Sequence, residues 1–271
     1  MKRVIFLMLI TSLSASSQGI EESFLFANSL YEKQQYQNAV ETYKRVLFFD
    51  ADDVYGPQSY KKMADCLYET GEFAEAAYYY DLAYFIHSGA EQVDITLQKI
   101  SCHLLLREYN LAQVELFNLP ESLKENQAEQ KVFYEAMLAF ATEDFEMAEE
   151  LFKDIAPDTL AVHELFREND KINKLSPKKA KILSIILPGL GQFYAGDVKN
   201  GLNSLLLTGG LLYLGAASAV KTSILDASIS VLPWFQRYYS GGYNKAEAIA
   251  EAKIKERRFK VFNELLDEVE N

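Results

Sequence analysis

Histidine and cysteine, which serve many catalytic and metal sites, are scarce in this chain. Its 271 residues include three histidines and two cysteines. His87, His103 and His163 do not have the spacing of metal ligands, and no cysteine joins them in a ligand motif. No phosphate-binding glycine loop follows a predicted strand. The sequence therefore predicts a protein that is not an enzyme and that uses no metal and no cofactor.

Disulfide bonding is also disfavoured. Cys66 and Cys102 occupy the same position of two consecutive repeats, where small apolar residues are expected to pack. Packed helices lie about 8–10 Å apart, and a disulfide requires closer α-carbons. Two buried thiols are the favoured interpretation, with a bridge as the alternative if the chain is exported.

Basic residues are few in the first part of the chain. Residues 20–170 contain 30 acidic and 11 basic residues, a net charge of −19, whereas residues 171–271 contain 9 acidic and 14 basic residues, a net charge of +5. An acidic body repels phosphates, which argues against nucleic acid as its partner. A basic, apolar tail suits anionic lipid headgroups.

The N-terminus has the pattern of a secretory signal peptide, residues 1–17. A charged start at Lys2 and Arg3 is followed by an apolar core from Val4 to Ile10 and by small residues up to Ser17. An uncleaved anchor is the alternative, but so short an apolar core does not span a bilayer. We therefore expect export.

An aromatic residue followed three positions later by alanine recurs four times, with alanines 37, 36 and 36 residues apart. Another large side chain follows each aromatic after seven residues, and alanine precedes three of the four by nine. The recurring positions are Ala27, Tyr36, Ala39 and Tyr43; Ala64, Phe73, Ala76 and Tyr80; Ile100, Tyr109, Ala112 and Leu116; and Ala136, Phe145, Ala148 and Phe152. This period predicts stacked helix pairs that approach each other closely at the small residues.

These positions resemble the tetratricopeptide repeat. Only the second unit matches the usual pattern in full, at Ala64, Gly71, Phe73, Ala76 and Tyr80; the other units lack the glycine. The resemblance implies an all-α solenoid of helix hairpins over residues 20–170, with four units and a capping helix that begins at Asp158. It also implies a concave face that binds partner proteins.

Three tyrosines are candidates for that protein-binding surface. Tyr78, Tyr79 and Tyr80 are consecutive, so a helix cannot bury all of them. Tyr78, Tyr79 and Tyr84 are therefore candidate contacts, because tyrosine is enriched at interfaces. Ordinary solvated tyrosines are the alternative.

Two uncharged apolar runs, Ile182–Ala195 and Leu202–Val220, dominate the last third of the chain. The second run would rise about 28 Å as a helix, close to the roughly 30 Å hydrocarbon core of a bilayer. A basic linker, residues 171–181, precedes them, with lysines that face lipid headgroups or are merely solvated. We expect residues 182–242 to form a helical, membrane-associated hairpin region. A hairpin buried in a soluble domain is the alternative.

The first apolar run contains a glycine motif. Its residues are Pro188, Gly189, Gly191, Gln192, Phe193, Tyr194 and Gly196, followed by Gly201. The motif resembles the P-G-x-G-Q-x-Y-x-G module of bacterial membrane proteins of unknown role, and part of it is similar to a domain of two transmembrane helices joined by a short turn. With the signal peptide, the resemblance implies the periplasmic face of a bacterial envelope membrane, inner or outer.

The end of the chain is predicted to be a separate amphipathic helix, residues 244–270. Gly241 and Gly242 are expected to break the chain before it, and Asn244 to cap it. Asp226 is expected in a turn at the membrane surface rather than as a buried functional carboxylate.

The sequence thus favours a membrane-anchored periplasmic scaffold or adaptor, with unidentified protein partners and membrane lipid as its ligands. The alternative is a small membrane-embedded transport or insertion factor with the repeats as a recruiting arm, in which Asp226→Ala abolishes activity without releasing the protein. A third hypothesis is a soluble periplasmic protein. Export conflicts with the usual cytoplasmic bias of basic flanks, unless the tail does not span the membrane or the signal is misassigned.

Overall fold

The structure, a computed structural model, describes residues 19–270, and within this range it contains helices and no strand. The predicted all-α class is thus confirmed. The helices are α1 (Ile20–Glu32), α2 (Tyr36–Phe49), α3 (Gly56–Glu69), α4 (Phe73–Tyr84), α5 (Ala90–Leu105), α6 (Tyr109–Phe117), α7 (Glu125–Ala141), α8 (Phe145–Ile155), α9 (Thr159–Asn173), α10 (Pro177–Ile186), α11 (Leu190–Tyr194), α12 (Val198–Lys221) and α13 (Ile224–Glu270). The predicted signal peptide, residues 1–17, lies outside the described residues.

The chain divides into two compact units, and the division falls inside α8, after Leu151. Unit 1 contains α1–α7 and the start of α8. Unit 2 contains the rest of α8 and α9–α13.

The helix pairs of unit 1 share one turn geometry. The backbone adopts a positive φ at Gln34 (57°), Gly71 (81°), Arg107 (60°) and Glu143 (65°), the positions between paired helices. The next amide donates across the turn each time, for example Glu72 N to Leu67 O at 2.8 Å and Glu108 N to His103 O at 2.8 Å. This hydrogen bond closes the end of the first helix as in a Schellman motif. Three units therefore place a side chain where glycine is favoured.

Small residues occupy the closest approaches within unit 1. The recurring alanines, including Ala39, Ala64 and Ala76, are completely buried, and so is Ile100 in the third unit. The large side chains that follow them, such as Tyr80, are buried as well, whereas the aromatics that open the second helices are half-buried. Each of the helices α1–α6 packs against the next one in the chain.

Buried tyrosines add hydrogen bonds at equivalent places in successive pairs. Tyr43 donates its hydroxyl to Asn28 Oδ1 at 2.7 Å, and Tyr80 donates to Asp65 Oδ1 at 2.8 Å. In both pairs the acceptor precedes the tyrosine by 15 residues. A buried hydroxyl without a partner is destabilising, so these acceptors fix the register between the paired helices.

Cys66 and Cys102 are completely buried and form no disulfide. Burial raises the pKa of each thiol to about 12. Both therefore stay protonated at neutral pH, in the state that reacts slowly.

In unit 2, α9 begins where the sequence predicts it. Asp158 Oδ1 accepts hydrogen bonds from Leu160 N at 2.9 Å and Ala161 N at 3.1 Å, which caps the helix. The predicted linker, residues 171–181, is mostly helical: α9 continues to Asn173 and α10 begins at Pro177. The reason is a second cap, because Ser176 Oγ accepts from Lys179 N at 3.3 Å.

The predicted helix break at Gly241 and Gly242 is wrong. Helix α13 runs without interruption from Ile224 to Glu270, so the predicted separate helix over residues 244–270 is its second half. Glycine costs about 1 kcal/mol in a helix interior relative to alanine, which is too little to break a helix that neighbours hold. Here α10, α11 and α12 all pack against α13.

Candidate functional site

The glycine motif lies where α10, α11, α12 and α13 meet. Helix α10 ends at Ile186, and the chain reverses through Leu187, Pro188 and Gly189 into the short helix α11. Leu190 N donates to Leu187 O at 3.0 Å, and Gly189 has a φ of 94°, which favours glycine. The predicted break in the first apolar run is this reversal.

The glutamine of the motif connects three helices. Gln192 is completely buried, and its Oε1 accepts from Ser184 Oγ of α10 at 2.8 Å. Its Nε2 donates to Gly242 O of α13 at 2.8 Å. Ser184 Oγ also accepts from Gly191 N at 2.9 Å, so the side chains of Ser184 and Gln192 each have hydrogen-bond partners. We name Ser184, Gln192 and the Gly242 carbonyl the polar latch.

The glycines of the motif allow backbones to touch. A Cβ on Gly191 would overlap Ala180 O, and a Cβ on Gly189 would overlap Gly201 O. A Cβ on Gly201 would stand 2.8 Å from the Phe193 ring. These positions exclude any larger residue unless the helices move apart.

Tyr194 ties the motif to the junction between α9 and α10. Its hydroxyl donates to Lys174 O at 3.0 Å and accepts from Ser176 N at 3.2 Å. Phe193 packs against Gly201, so both aromatics make contacts within the protein. Lys253 Nζ of α13 donates to Ala195 O at 2.9 Å, next to Gly196.

Beyond this junction, α12 and the first half of α13 form an apolar hairpin that we name the anchor hairpin, residues 198–240. Helix α12 is the one described helix that is long and apolar enough to cross a membrane. An 18-residue stretch of it has a mean hydropathy of 1.3, and only 6% of that stretch is buried. Exposed large apolar side chains include Leu202, Leu206, Leu212, Tyr213, Leu214, Val220, Ile224, Leu225, Ile229, Leu232 and Trp234. No charged residue lies between Leu202 and Val220.

Close contacts define the register of the two helices. A Cβ on Gly242 would stand 2.7 Å from Ser204 Oγ, and a Cβ on Gly215 would stand 3.5 Å from Val231. The helices are antiparallel, so Lys245 is level with Gly201. The hairpin extends about 30 Å from that level to its tip, at 1.5 Å per residue.

The tip of the hairpin is a two-residue turn, Thr222 and Ser223, close to where the sequence places it. Ser223 Oγ accepts from Asp226 N at 3.0 Å and caps α13. Asp226 is exposed in the first helical turn, where a carboxylate is favoured by the helix dipole.

Among the candidate protein contacts of unit 1, the rings of Tyr78 and Tyr79 touch, with centroids 5.2 Å apart. Tyr78 is exposed, whereas Tyr79 is half-buried and stacks on Tyr60 with ring centroids 6.4 Å apart. Tyr84 faces Lys99, whose Nζ lies 5.7 Å from the centre of the ring.

A cleft of about 610 Å³ in unit 1 lies beside Tyr84 and the loop after the short helix α6. Glu115 lines it and holds Lys99 Nζ at 2.7 Å, and Asp81 binds the same nitrogen at 2.7 Å. Burial of Lys99 opposes its charge, but the two carboxylates outweigh burial and raise its pKa. Gln127, also in the wall, donates to Ala90 O at 2.9 Å. These polar groups are thus satisfied within the protein.

Sequence reasoning missed several residues of these sites. Ser184 and Gly242 complete the polar latch, and Lys99 is a buried cation between two carboxylates. Ser184 carried a signal, because it is the one polar residue between Ile182 and Gly189. Lys99 carried no such signal in the sequence, since its burial depends on neighbours from α4 and α6. Among residues 19–270, no group of three or more metal-ligating side chains occurs.

Comparison with protein-family models, curated proteins and solved structures found no match for this chain. The tetratricopeptide and glycine-motif resemblances therefore stay predictions.

Proposed function

We propose that the protein is a membrane-anchored scaffold, in which the anchor hairpin sits in a bilayer and unit 1 binds protein partners on the periplasmic side. The observation that carries the proposal is the exposed apolar surface of the anchor hairpin. Burying one leucine side chain is worth about 1.5–3 kcal/mol, and soluble monomers rarely expose patches beyond a few hundred Å².

The distribution of apolar side chains favours insertion over lying on a surface. An interfacial helix has a charged or polar face along its length, and Leu202–Val220 has no charged residue on any face. The low burial of α12 likewise argues against a hairpin enclosed in a soluble domain. Because the hairpin returns to its own base, both of its ends lie on one side of the bilayer.

Unit 1 supports the partner-binding half of the proposal. Repeated helix pairs bury their own small and large residues, while its surface stays acidic and exposes apolar side chains such as Phe48, Phe85 and Phe117. Exposed aromatic side chains are favoured anchors at protein interfaces. The periplasmic location rests on the predicted signal peptide.

We do not propose the embedded transport factor. That hypothesis used Asp226 as an intramembrane carboxylate. Its carboxylate is exposed in the first turn of α13, where the helix dipole favours a negative charge, so its position is accounted for without a transport role.

The proposal is tested by membrane fractionation with an alkaline wash, followed by protease treatment of opened periplasm. We expect the protein to stay in the membrane pellet and unit 1 to be digested. Recovery in the soluble fraction without detergent would contradict the anchor. Protection of unit 1 from protease would contradict the periplasmic location.

A matched pair of variants isolates the anchor hairpin. Leu206→Lys with Leu212→Lys should release the protein, since a lysine at a membrane-helix centre costs about 2.5–3.5 kcal/mol. Phe48→Lys with Phe85→Lys also replaces two exposed apolar side chains by lysine, but in unit 1, and should leave fractionation unchanged. Equal behaviour of the two pairs would argue against the hairpin as the anchor.

A further inference from the structure

We propose that a cationic collar at the base of the anchor hairpin binds the phosphate-bearing headgroups of anionic lipids, so that the anchor selects anionic membranes. This inference rests on the membrane anchoring proposed above. The collar consists of Lys178, Lys179, Lys181, Lys199, Arg237 and Lys245.

Three helices bring these cations to one end of the hairpin. Lys181 Nζ of α10 lies 2.7 Å from Glu247 Oε2 of α13, which is level with Lys199 of α12 in the hairpin register. Lys245 is half a turn further toward the tip. Lysines from α10, α12 and α13 therefore lie near the level where the exposed apolar surface begins.

The collar has more cations than carboxylates. The carboxylates near the collar include Asp197, Glu247 and Glu251: Asp197 Oδ1 accepts from Asn200 N at 3.0 Å, Glu247 pairs with Lys181, and Glu251, one helical turn after Glu247, also favours the charge of Lys181. The Asn200 hydrogen bonds lower the pKa of Asp197, and Lys245 contributes to this shift. The side chains of Lys199, Arg237 and Lys245 make no hydrogen bond or ion pair within residues 19–270.

Arg237 extends the collar toward the apolar part of the hairpin. It is exposed and level with Gly209, about 12 Å closer to the tip than Lys245. A charged side chain beside lipid is costly unless an anion or water accompanies it. The long side chain of Arg237 can extend toward the lipid phosphates at the level of Lys245, which supply that anion.

Charge complementarity identifies the ligand. In a bilayer, an anionic phosphate layer adjoins the hydrocarbon, and the protein presents a cationic collar next to an apolar hairpin in the same order. Each lysine or arginine near an anionic surface adds roughly fivefold to the affinity. A soluble anion would meet the collar but not the apolar surface.

The test measures binding of the full-length protein, diluted from detergent, to vesicles by flotation across a lipid titration. One vesicle is phosphatidylcholine alone, and the other contains equal parts of phosphatidylcholine and phosphatidylglycerol. The collar variant carries Lys199→Gln, Arg237→Gln and Lys245→Gln. The control carries Lys171→Gln, Lys255→Gln and Arg257→Gln, which removes the same charges from exposed positions of unit 2.

We expect wild type and control to prefer the anionic vesicles, and the collar variant to lose roughly a hundredfold of that preference. Two control positions, Lys255 and Arg257, lie about 15–18 Å beyond Lys245 along α13, further than the Debye length of about 8 Å. Inorganic phosphate at matched ionic strength should not compete.

Three results would overturn the inference. Equal binding of the wild-type protein to both vesicles would leave the proposed anchor intact but would contradict the binding of anionic lipid by the collar. Equal losses in the two variants make the effect a matter of total charge. Competition by inorganic phosphate assigns the collar to a soluble anion. Failure to bind either vesicle contradicts the proposed anchoring itself and is thereby distinguishable from the others.

Discussion

The two units use apolar residues in opposite ways. Unit 1 buries alanines and large side chains at regular intervals, so its core lies between its own helices. Unit 2 closes a small core around Ala180, Ala195, Ala246 and Ala250 and leaves the anchor hairpin exposed. The apolar residues of the helices thus form a buried core in unit 1 and an exposed apolar surface on the anchor hairpin of unit 2.

The two units also differ in the role of their glycines. In unit 1, Gly71 serves a turn and nothing stands near the position of a Cβ. In unit 2, Gly191 and Gly201 serve contacts between helices, where a Cβ would meet backbone or an aromatic ring. The comparison predicts that unit 1 loses stability when a buried side chain is shortened, and that unit 2 loses stability when atoms are added to its closely packed glycines.

The largest effect is expected for Tyr80→Ala in unit 1. Tyr80 is buried and bonded to Asp65, so the change should lower the free energy of unfolding by about 3–5 kcal/mol. Tyr78→Ala, at an exposed position two residues away, should change it by less than about 0.5 kcal/mol. Denaturant unfolding followed by circular dichroism measures both. Similar losses would mean that Tyr78 is part of the core.

Gly191→Ala should show the sensitivity of unit 2 to one added methyl group. The new Cβ would overlap Ala180 O, and we expect a loss of about 2–3 kcal/mol together with easier proteolysis between α10 and α12. Gly209→Ala is the control, since nothing stands within 4 Å of its Cβ position. It should be neutral or stabilise by up to about 1 kcal/mol. Thermal unfolding in detergent separates the two, and equal tolerance would disprove the close contact.

A smaller gain is expected at the turns of unit 1. Gln34→Gly relieves a positive φ of 57° and should stabilise the protein by about 0.5–1 kcal/mol. Gln35→Gly makes the same chemical change at a φ of −86° and should be slightly destabilising. Thermal unfolding of both variants is the measurement. A loss at Gln34 would argue against strain there.

The last expected effect is a loss of stability at high pH, caused by the raised pKa of the buried thiols, and it is absent at neutral pH. An unfolded thiol loses its proton near pH 9.0, but the folded Cys66 and Cys102 keep theirs until about 12. The folded state then holds more protons, so the free energy of unfolding of unit 1 should fall as pH rises from 9 toward 12. Burial raises the pKa of Tyr31 to about 12 and acts in the same direction.

Thermal unfolding across this pH range checks the expectation, and alkylation provides an independent measure. The folded protein should react far more slowly than the denatured one. Equal alkylation rates near pH 9 would contradict the buried thiols.

Much of the local structure was predictable. The repeated aromatic-x-x-Ala pattern predicted helix pairs, because the close approach of paired helices demands a small residue at a fixed interval. In the structure its aromatics are the first residues of α2, α4, α6 and α8. Asp158 likewise marked the start of α9. The prediction failed at Gly241 and Gly242, where local glycine preference was overridden by packing against α12 and by the Gln192 hydrogen bond.

The sequence by itself determined the helical class, the period of unit 1, the opposite charges of its two parts and the uncharged runs near its end. These follow from side-chain chemistry and spacing, which are local properties. Only the tertiary structure decided that Gln192 and Ser184 form a buried latch, that α13 is continuous, and that lysines from three helices lie near the base of one hairpin. Each of these depends on residues distant in the chain, whose approach is set by packing.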